Sequence, residues 1–329
     1  MQKINRRRFI AIGAAAAGCG LPLLHASSAQ SSTAVTWRGQ ALGAQASLVI
    51  HHHDRNAAAR LVRQVVTEVE RLERVFSLYL PDSALSRLNR FGALAAPPSD
   101  LVALLQTCRE VWELTNGAFD PTVQPLWRLL SEHFARPDAD PAGPNPGQIA
   151  DALALVGFDK VIFDRNRVAL KRRGAALTLN GIAQGYITDR AVDILRRGGI
   201  ENSLVDIGEI RALGQHPARG AWRVGIEATD DRARQPAFLE LVNNAVATSS
   251  PDGFAFDPAG SFNHLLNPRS GASANNHQSV TVLAPEAVLA DAFSTGFSLM
   301  TYDAVASIAP TIPRLQVHLT NESGSRDLP

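Results

Sequence analysis

The second half of the chain alternates short apolar segments with turns and amphipathic helical patterns, and this mixture restricts the possible fold more than any other feature. Residues 160–163 and 167–170 flank the polar turn Asp164-Arg165-Asn166, which is typical of a β-hairpin. Helices are predicted over residues 187–197 and 288–300. Further strands are predicted at residues 177–179, 204–207, 222–226, 238–242, 245–248, 280–283 and 315–319. Hairpins mixed with helices in this way predict an α+β fold with mainly antiparallel sheets rather than a doubly wound parallel sheet.

Two amphipathic helices are predicted in the first half of the chain. Between Asn56 and Phe76, apolar residues recur three and four positions apart with charged residues among them, so one helix face is buried. A second helix begins at Ser99, a good N-cap residue, and ends at Asn116-Gly117. Residues 37–50 predict an opening strand that is interrupted near glycine 43, whereas the Pro- and Gly-rich residues 136–147 predict a surface loop.

The charge balance excludes binding that depends mainly on electrostatic attraction. The 32 Lys and Arg residues oppose 31 Asp and Glu residues, which leaves a formal charge of +1. Counterion release therefore cannot be the main source of binding to nucleic acid or to an anionic membrane. The sequence contains no G-x-G-x-x-G or Walker pattern, so neither a dinucleotide-binding Rossmann unit nor a P-loop is predicted.

The N-terminus has the form of an export signal. Arginines at positions 6–8 precede an apolar, alanine-rich stretch and a small-residue cleavage site ending at Ala29, which is the pattern of a twin-arginine secretory signal. We therefore expect a periplasmic protein with a signal over residues 1–29, a folded domain over residues 36–320 and a C-terminal tail at residues 321–329. An uncleaved anchor and lipidation at Cys19 stay open as alternatives. Cys108 lies on the apolar stripe of the second helix, which favours an inert core thiol over a nucleophile.

Five polar or glycine-containing segments stand apart from the periodic core. Four of them lie at residues 76–83, 116–122, 180–186 and 264–271. Taken singly each is a plausible turn, since Gly117 could follow a helix end and Asn180-Gly181 could form a hairpin turn. The fifth segment places Asp291 and Thr295 at i and i+4 on one helix face, where oxygen ligands would suit Mg²⁺. The alternative is that Asp291 is an N-cap or first-turn residue.

Together the five segments resemble the ApbE family, the FAD:protein FMN transferases, which move FMN from FAD onto a Ser or Thr of an acceptor protein. The resemblance spans about residues 37–310. Its most specific pieces are Gly117-Ala118-Phe119-Asp120-Pro121-Thr122, Gly-Ile-Ala-x-Gly-Tyr at 181–186 with Asp189 following, Val205-x-Ile207-Gly208, His264-x-x-x-Pro268-x-x-Gly271, and Ala290-Asp291-Ala292-x-x-Thr295. The resemblance implies a single ApbE-type, T-fold-like catalytic domain that uses Mg²⁺ and takes FAD as its substrate.

The resemblance also implies roles for individual residues. Asp291 and Thr295 would bind Mg²⁺ through side-chain oxygens, joined by the backbone carbonyl of Gly181, with Ser294 beside them. His264 would ease removal of the proton from the acceptor hydroxyl, because imidazole titrates near neutrality, and Asp291 is counted with it as catalytic. The FAD site would be formed by Leu42, Tyr79, Ala118, Phe119, Asp120, Thr178, Gln184 and Leu266.

Four positions depart from the family pattern. The family usually has an acidic residue at Thr178, a Lys or Glu at Gln184, a second Gly at Glu209 and an Asp at Asn267. These departures fit either a transferase dedicated to one acceptor or a site that binds FAD and turns over slowly. The twin-arginine signal and the Gly-Ile-Ala-Gln-Gly-Tyr variant resemble the NosX branch. In that branch the acceptor is the flavin domain of NosR, a membrane-bound regulator of nitrous oxide respiration.

Two other functions stay open at this point. One is a periplasmic FAD-binding or flavin-delivery protein without transfer activity, and the other is an FAD pyrophosphatase in which water replaces the acceptor hydroxyl. The pairing of Asp291 with Thr295 favours the two catalytic functions, because binding of FAD alone does not require such paired ligands.

Overall fold

A computed structural model describes residues 33–41, 44–226, 237–321 and 324–329 of the chain. The predicted export signal, Cys19 and the predicted FAD residue Leu42 lie outside the described residues. Within the ranges that are described, no helix is both long enough and apolar enough to cross a membrane.

The largest element is an antiparallel sheet of eight strands. The strands of the described chain are β1 (Thr33–Ala41), β2 (Ala44–His52), β3 (Ala93–Ala95), β4 (Val161–Phe163), β5 (Arg167–Leu170), β6 (Asn202–Asp206), β7 (Ile210–Leu213), β8 (Trp222–Ile226), β9 (Ala237–Leu241), β10 (Ala245–Ser249), β11 (Ser279–Ala284), β12 (Gln316–Asn321) and β13 (Gly324–Leu328). The large sheet has the order β1-β2-β6-β7-β10-β11-β12-β13, and each neighbouring pair is antiparallel. The remaining strands form a small β3-β5-β4 sheet and the β8–β9 hairpin.

Helices cover one face of the large sheet. The α-helices of the described chain are α1 (Arg55–Phe76), α2 (Ala84–Phe91), α3 (Ser99–Leu114), α4 (Gln124–Phe134), α5 (Pro146–Ala154), α6 (Ala183–Arg197), α7 (Ala287–Phe297) and α8 (Tyr302–Ile308). Helix α1 contacts β1 and β2, α6 contacts β6 and β7, and α7 contacts β10 and β11. The mixture of helices and antiparallel sheets confirms the predicted α+β class.

Side-chain alternation along β10 shows how the two faces of the sheet are used. Ala245 and Ala247 belong to the main core with the helices, whereas Val246 packs into a second cluster with Trp222 and Leu241 of the β8–β9 hairpin. Successive residues of a strand point to opposite faces, so the helices and the hairpin cover opposite sides of the sheet. The sheet therefore forms a middle layer.

The structure differs from the sequence-based expectations at several elements. Residues 37–41 and 44–50 form parts of two paired strands, β1 and β2, instead of one interrupted strand. Residues 177–179 form no strand, and helices α2, α4 and α5 were not predicted. These helices are short. Ser83 caps α2, and Asn145 forms a capping box with Gln148 at the start of α5, whereas α4 begins without a side-chain cap.

The C-terminal residues also take part in the sheet. Strand β13 lies inside the segment predicted as a tail and pairs with β12 from Val317↔Leu328 to Asn321↔Gly324. The large sheet therefore extends beyond the boundary expected at residue 320.

A third cluster of buried residues lies between α4, α5 and the segment near residue 266. Its buried members are Leu126, Leu130, Ala152, Val156 and Leu266, and Phe254 and Trp127 stack nearby with ring centroids 6.1 Å apart. This cluster places α4 and the 254–266 segment beside the loops that follow α1 and precede α6.

Candidate active site

The site is built where α6 and α7 cross. A Cβ atom at Gly185 of α6 would lie 2.3 Å from the carbonyl oxygen of Ala287 and 2.7 Å from Cα of Val288. Any side chain at position 185 would push the two helices apart, so glycine permits direct contact of their backbones. The amide of Gly185 also donates a hydrogen bond of 3.0 Å to Oδ2 of Asp291. The glycine-containing segment 181–186 is therefore part of a helix junction.

Asp291 lies in the second turn of α7 and is 4% exposed. The N-cap position of this helix is Glu286, so the alternative that Asp291 is an N-cap or first-turn residue is wrong. The carboxylate points to α6 instead, since it accepts the amide of Gly185. A buried carboxylate requires hydrogen-bond or cation partners to offset its loss of hydration. The burial of the Asp291 carboxylate therefore indicates that it has a specific ligand or partner.

Gly181 and Thr295 meet at the same junction. A Cβ atom at Gly181 would lie 2.7 Å from Oγ1 of Thr295, so the missing side chain leaves a space that this hydroxyl borders. Ser294 is buried, donates to the carbonyl of Asp291 at 3.0 Å and lies 2.8 Å from Oγ of Ser249. The structure thus brings together the four residues that the sequence assigned to the metal.

The donor chemistry of this group fits a hard divalent cation. It offers a carboxylate, hydroxyls and a backbone carbonyl, which are the oxygen ligands that Mg²⁺ and Ca²⁺ take. In the described ranges there is no group of three or more His, Cys, Asp and Glu side chains suited to a metal ion. The donors named here are one carboxylate and several neutral oxygens, so a cation that they hold would need further ligands from its substrate. Phosphate oxygens are the usual complement for Mg²⁺.

The loop at residues 116–120 borders this junction. A Cβ atom at Gly296 of α7 would lie 3.1 Å from Cβ of Phe119, so the loop packs on α7 one residue beyond Thr295. Phe119 is buried, and its amide donates to Oγ1 of Thr115 at 3.1 Å. Ala118 is partly buried and packs against the main core. The backbone of this loop is therefore well placed to border a ligand at Thr295.

Asp120 has a different environment from the one expected of a ligand-binding carboxylate. It accepts hydrogen bonds from the amide of Thr122, from Nε1 of Trp112 at 3.1 Å and from the amide of Phe158 at 3.1 Å. Burial raises the pKa of this carboxyl above its usual value, while these hydrogen bonds lower it. The two oxygens of Asp120 therefore bind the loop to helix α3 through Trp112 and to the segment at Phe158. The amide of Thr178 donates to the carbonyl of Pro121 at 2.7 Å, which places Thr178 beside the same loop.

A cavity of about 350 Å³ opens next to the junction. Tyr79 lines it and is 51% exposed, and Asn180, which directly precedes Gly181, lines it as well. Its lining residues are Leu78, Tyr79, Ser86, Asn89, Arg90, Gln124, Trp127, Arg128 and Asn180. A cavity of this size suits one ring system of a dinucleotide. Of the predicted FAD residues, Tyr79 is the one that lines this cavity.

His264 is oriented by the segment that precedes it. Its Nδ1 lies 3.1 Å from the carbonyl oxygen of Phe254, and because a carbonyl only accepts, Nδ1 carries the proton. Nε2 is then the basic nitrogen of the neutral ring. The ring also faces Gly253, where a Cβ atom would lie 3.1 Å from Cε1. Phe254 stacks on Trp127 of the cavity wall, which connects His264 to the cavity.

The other two predicted FAD residues lie further inside the protein. Gln184 is buried in the first turn of α6, and its Cδ would lie 2.6 Å from a Cβ atom at Gly208. Leu266 is buried with Leu126 and Leu130 behind α4 and supports the helix that carries Trp127. Leu266 therefore supports the cavity wall from behind, whereas Gln184 packs beside Gly208.

Several residues of the site were missed by the sequence analysis. Trp127, Arg90 and Arg128 come from helices that were not predicted, and Ser249 follows a strand that was expected to end at residue 248. Asn180 alone had a local signal, the Asn-Gly pair, which was interpreted as a turn.

Comparison with known proteins places this geometry in a family. The model of the ApbE family matches residues 42–319. The FAD:protein FMN transferase of Haemophilus influenzae is 32% identical over 249 residues, which cover 71% of this chain and 70% of that protein. The FAD:protein FMN transferase of Vibrio cholerae is also 32% identical, over 272 residues, covering 78% of this chain and 80% of that protein.

Solved structures share the fold. The ApbE protein of Thermotoga maritima superposes with a TM-score of 0.79 and 26% identity, covering 90% of this chain and 97% of that chain. A variant of the flavin transferase ApbE of Vibrio cholerae superposes with a TM-score of 0.75 and 25% identity, again covering 90% and 97% of the two chains. The likeness extends over nearly the whole described chain.

Proposed function

This chain belongs to the ApbE family, and we propose that it is an FAD:protein FMN transferase that depends on Mg²⁺. The enzyme would transfer the FMN half of FAD to a Thr or Ser hydroxyl of an acceptor protein and form a phosphoester. The names of the relatives support the activity, and the arrangement of oxygen donors at the α6–α7 junction supports the metal.

One observation carries the proposal. Gly181 precedes α6, whereas Asp291 and Thr295 lie on α7, far along the sequence, and the two segments meet beside the cavity that Tyr79 and Asn180 line. Asp291, Thr295 and the carbonyl of Gly181 would hold Mg²⁺, with Ser294 supporting Asp291 and Ser249. When bound, Mg²⁺ neutralises the negative charge of the pyrophosphate and of the transition state.

The transfer itself makes one bond and breaks one bond. The acceptor oxygen forms a bond to the phosphorus of the FMN half, the bond between that phosphorus and the bridging oxygen breaks, and AMP leaves. The acceptor hydroxyl loses a proton in this step. Nε2 of His264 would take it, because the carbonyl of Phe254 fixes the other ring nitrogen as the protonated one. Asp120 contributes through the loop that it fastens.

The location and the acceptor are also part of the proposal. The twin-arginine pattern at residues 1–29 supports export to the periplasm in a folded state. The Gly-Ile-Ala-Gln-Gly-Tyr variant supports a NosX-like role in nitrous oxide respiration, with the flavin domain of a NosR-like protein as the acceptor.

Intact-mass spectrometry tests the proposal. The protein is incubated with FAD, Mg²⁺ and the acceptor domain, with EDTA in one control and with an acceptor whose target Thr is replaced by Ala in another. The proposal expects an FMN adduct that requires the metal and the target Thr. Bound, intact FAD without an adduct would instead support a flavin-delivery protein, and free FMN with AMP would support a pyrophosphatase.

A further inference from the structure

Helix α7 begins without a cap of its own. Glu286 occupies the N-cap position with φ −127° and ψ 142°, but its side chain makes no capping hydrogen bond. The first amides of a helix have no partner inside the helix, so they need one elsewhere. Here the amides of Ala287 and Val288 donate to the carboxylate of Asp189 at 2.8 and 2.9 Å. The cap of α7 is therefore supplied by another helix.

Asp189 also binds a cation from the sheet. Nη1 of Arg211, on β7, donates to Oδ1 of Asp189 at 2.5 Å, and the two residues are 7% and 9% exposed. The carboxylate of Asp189, on α6, thus accepts hydrogen bonds both from α7 and from the sheet. A buried carboxylate with this many donors is fixed in position, because each donor would lose its partner if the carboxylate moved.

The spacing of the contacts connects this cap to the metal ligands. Asp189 lies four residues after Gly185 on α6, and Ala287 lies four residues before Asp291 on α7. The contacts Asp189–Ala287 and Gly185–Asp291 are therefore one helical turn apart on both helices. Two contacts so arranged fix both the rotation and the axial position of α7 against α6.

We propose that Asp189 and Arg211 are positioning residues that lock α7 onto α6, so that Asp291 and Thr295 meet Gly181 in the geometry that a divalent cation requires. The metal-binding part of this inference rests on the proposed function. Asp189 acts through the first turn of α7, and Arg211 acts by holding Asp189 in place.

The variant Asp189→Asn tests the inference because it changes donors and acceptors at nearly constant volume. An amide offers one acceptor oxygen, and its NH₂ group would face either an α7 amide or Arg211, which are all donors. Residues that orient metal ligands typically change metal affinity by about 10- to 100-fold when they are replaced. We expect a loss of Mn²⁺ affinity in this range, measured by titration of the protein with Mn²⁺ followed by electron paramagnetic resonance.

Hydrogen exchange gives a second readout that needs neither metal nor FAD. In Asp189→Asn, the amides at the start of α7 should exchange faster, whereas those of α1 should be unchanged. Asp193→Asn is the matched control, since Asp193 lies one turn further along α6 and forms an ion pair of 4.0 Å with Arg190 at the surface. This control should leave both the Mn²⁺ affinity and the exchange unaltered.

A local cap separates a positioning role from a general loss of stability. Glu286 already has the backbone conformation of an N-cap residue, so Glu286→Ser gives α7 a cap of its own without restoring the contact with α6. In the Asp189→Asn background it should slow the exchange of the first turn, while the Mn²⁺ affinity stays low. If Asp189→Asn alone is insoluble, the double variant supplies the soluble protein in which the Mn²⁺ affinity is measured.

Clear outcomes would overturn the inference. Wild-type Mn²⁺ affinity in Asp189→Asn, exchange that rises equally throughout the protein, or full recovery of the Mn²⁺ affinity in the double variant would each show that the contact of Asp189 with α7 does not position the ligands. A failure of the proposed function is distinguishable, because it would appear as absent Mn²⁺ binding or absent FMN transfer in the wild type. The exchange experiment would still decide whether Asp189 fixes α7.

Discussion

The α6–α7 junction and the neighbouring cavity are built in opposite ways. At the junction, backbones touch at Gly185, and Asp291 and Ser294 are 4% and 1% exposed. In the cavity, Tyr79 is 51% exposed, and the lining arginines Arg90 and Arg128 reach solvent. Oxygen donors for a cation are thus fixed by packing, whereas the walls for a ring system are open. We therefore expect substitutions at the junction to reduce FMN transfer severely, and substitutions at the cavity to reduce it by smaller, graded amounts.

The largest effect is expected for Asp291→Ala. The substitution removes the one carboxylate of the proposed metal site, so FMN transfer should fall to the level of the EDTA control while the fold is retained. Transfer rate and circular dichroism measure the two parts of this prediction. Asp303→Ala, at an exposed position in the first turn of α8, is the control. Full transfer activity in Asp291→Ala would defeat the metal assignment.

His264→Gln tests the proposed role of His264, which is to accept the proton of the acceptor hydroxyl. General-base catalysis typically contributes about 10²- to 10⁴-fold, so kcat should fall by at least the lower figure while KM for FAD changes little. Steady-state transfer kinetics provide the measurement, with His53→Gln, at an exposed position, as the control. An unchanged kcat would remove His264 from the reaction.

Gly181→Ala tests the space beside Thr295. The added Cβ would lie 2.7 Å from Oγ1, so the hydroxyl or the backbone must move. We expect a loss of about 10- to 100-fold in Mn²⁺ affinity, as for other changes that displace metal ligands. Gly225→Ala is the matched control, because its Cβ would meet no atom closer than 3.8 Å. Equal affinities of the two variants would show that Gly181 is not part of the site.

Tyr79→Ala tests the proposed binding of FAD in the open cavity. Stacking of a base on an aromatic side chain is worth about 1–3 kcal/mol by alanine substitution, so KM for FAD should rise about 5- to 150-fold. The value of kcat at saturating FAD should be preserved, since Tyr79 lies on the exposed side of the cavity. Phe91→Ala removes an aromatic ring that is 69% exposed and lies outside the cavity lining, and it should leave KM unaltered. A fall in kcat instead would place Tyr79 with the reacting groups.

The smallest effect is expected at Cys108, inside the core. Burial raises the pKa of this thiol, so little reactive thiolate forms at neutral pH. In a protein with Cys19→Ser, a disulfide reagent at pH 8 should react with Cys108 only after denaturation. Absorbance of the released thiolate gives the count. Rapid reaction of the folded protein would contradict the core position.

The junction was easier to predict from sequence than the cavity. Asp291 and Thr295 share a helix face because of their i, i+4 spacing, and this local pattern identified them before their partners were known. Asp189 was noted only as part of the family pattern. Its hydrogen bonds span 98 and 99 residues of sequence, and no periodicity reports such a contact.

The cavity could not be predicted because its walls come from short helices. Trp127 and Arg128 lie on α4, which begins without a side-chain cap, and Arg90 lies on α2, which Ser83 caps. Both helices are short and depend on tertiary packing more than on long periodic stripes. Asp120 illustrates the limit for single residues. The sequence correctly marked its segment, but the hydrogen bonds to Trp112 and Phe158 that determine its role are formed only in the folded protein.

The position of the cation tests the central claim most directly. Crystals of the protein grown with Mn²⁺ in place of Mg²⁺ would locate the ion by its anomalous scattering. The account predicts a peak in direct coordination with the carboxylate of Asp291, the hydroxyl of Thr295 and the carbonyl of Gly181. An ion bound elsewhere, or none at this junction with Mn²⁺ in excess, would contradict it.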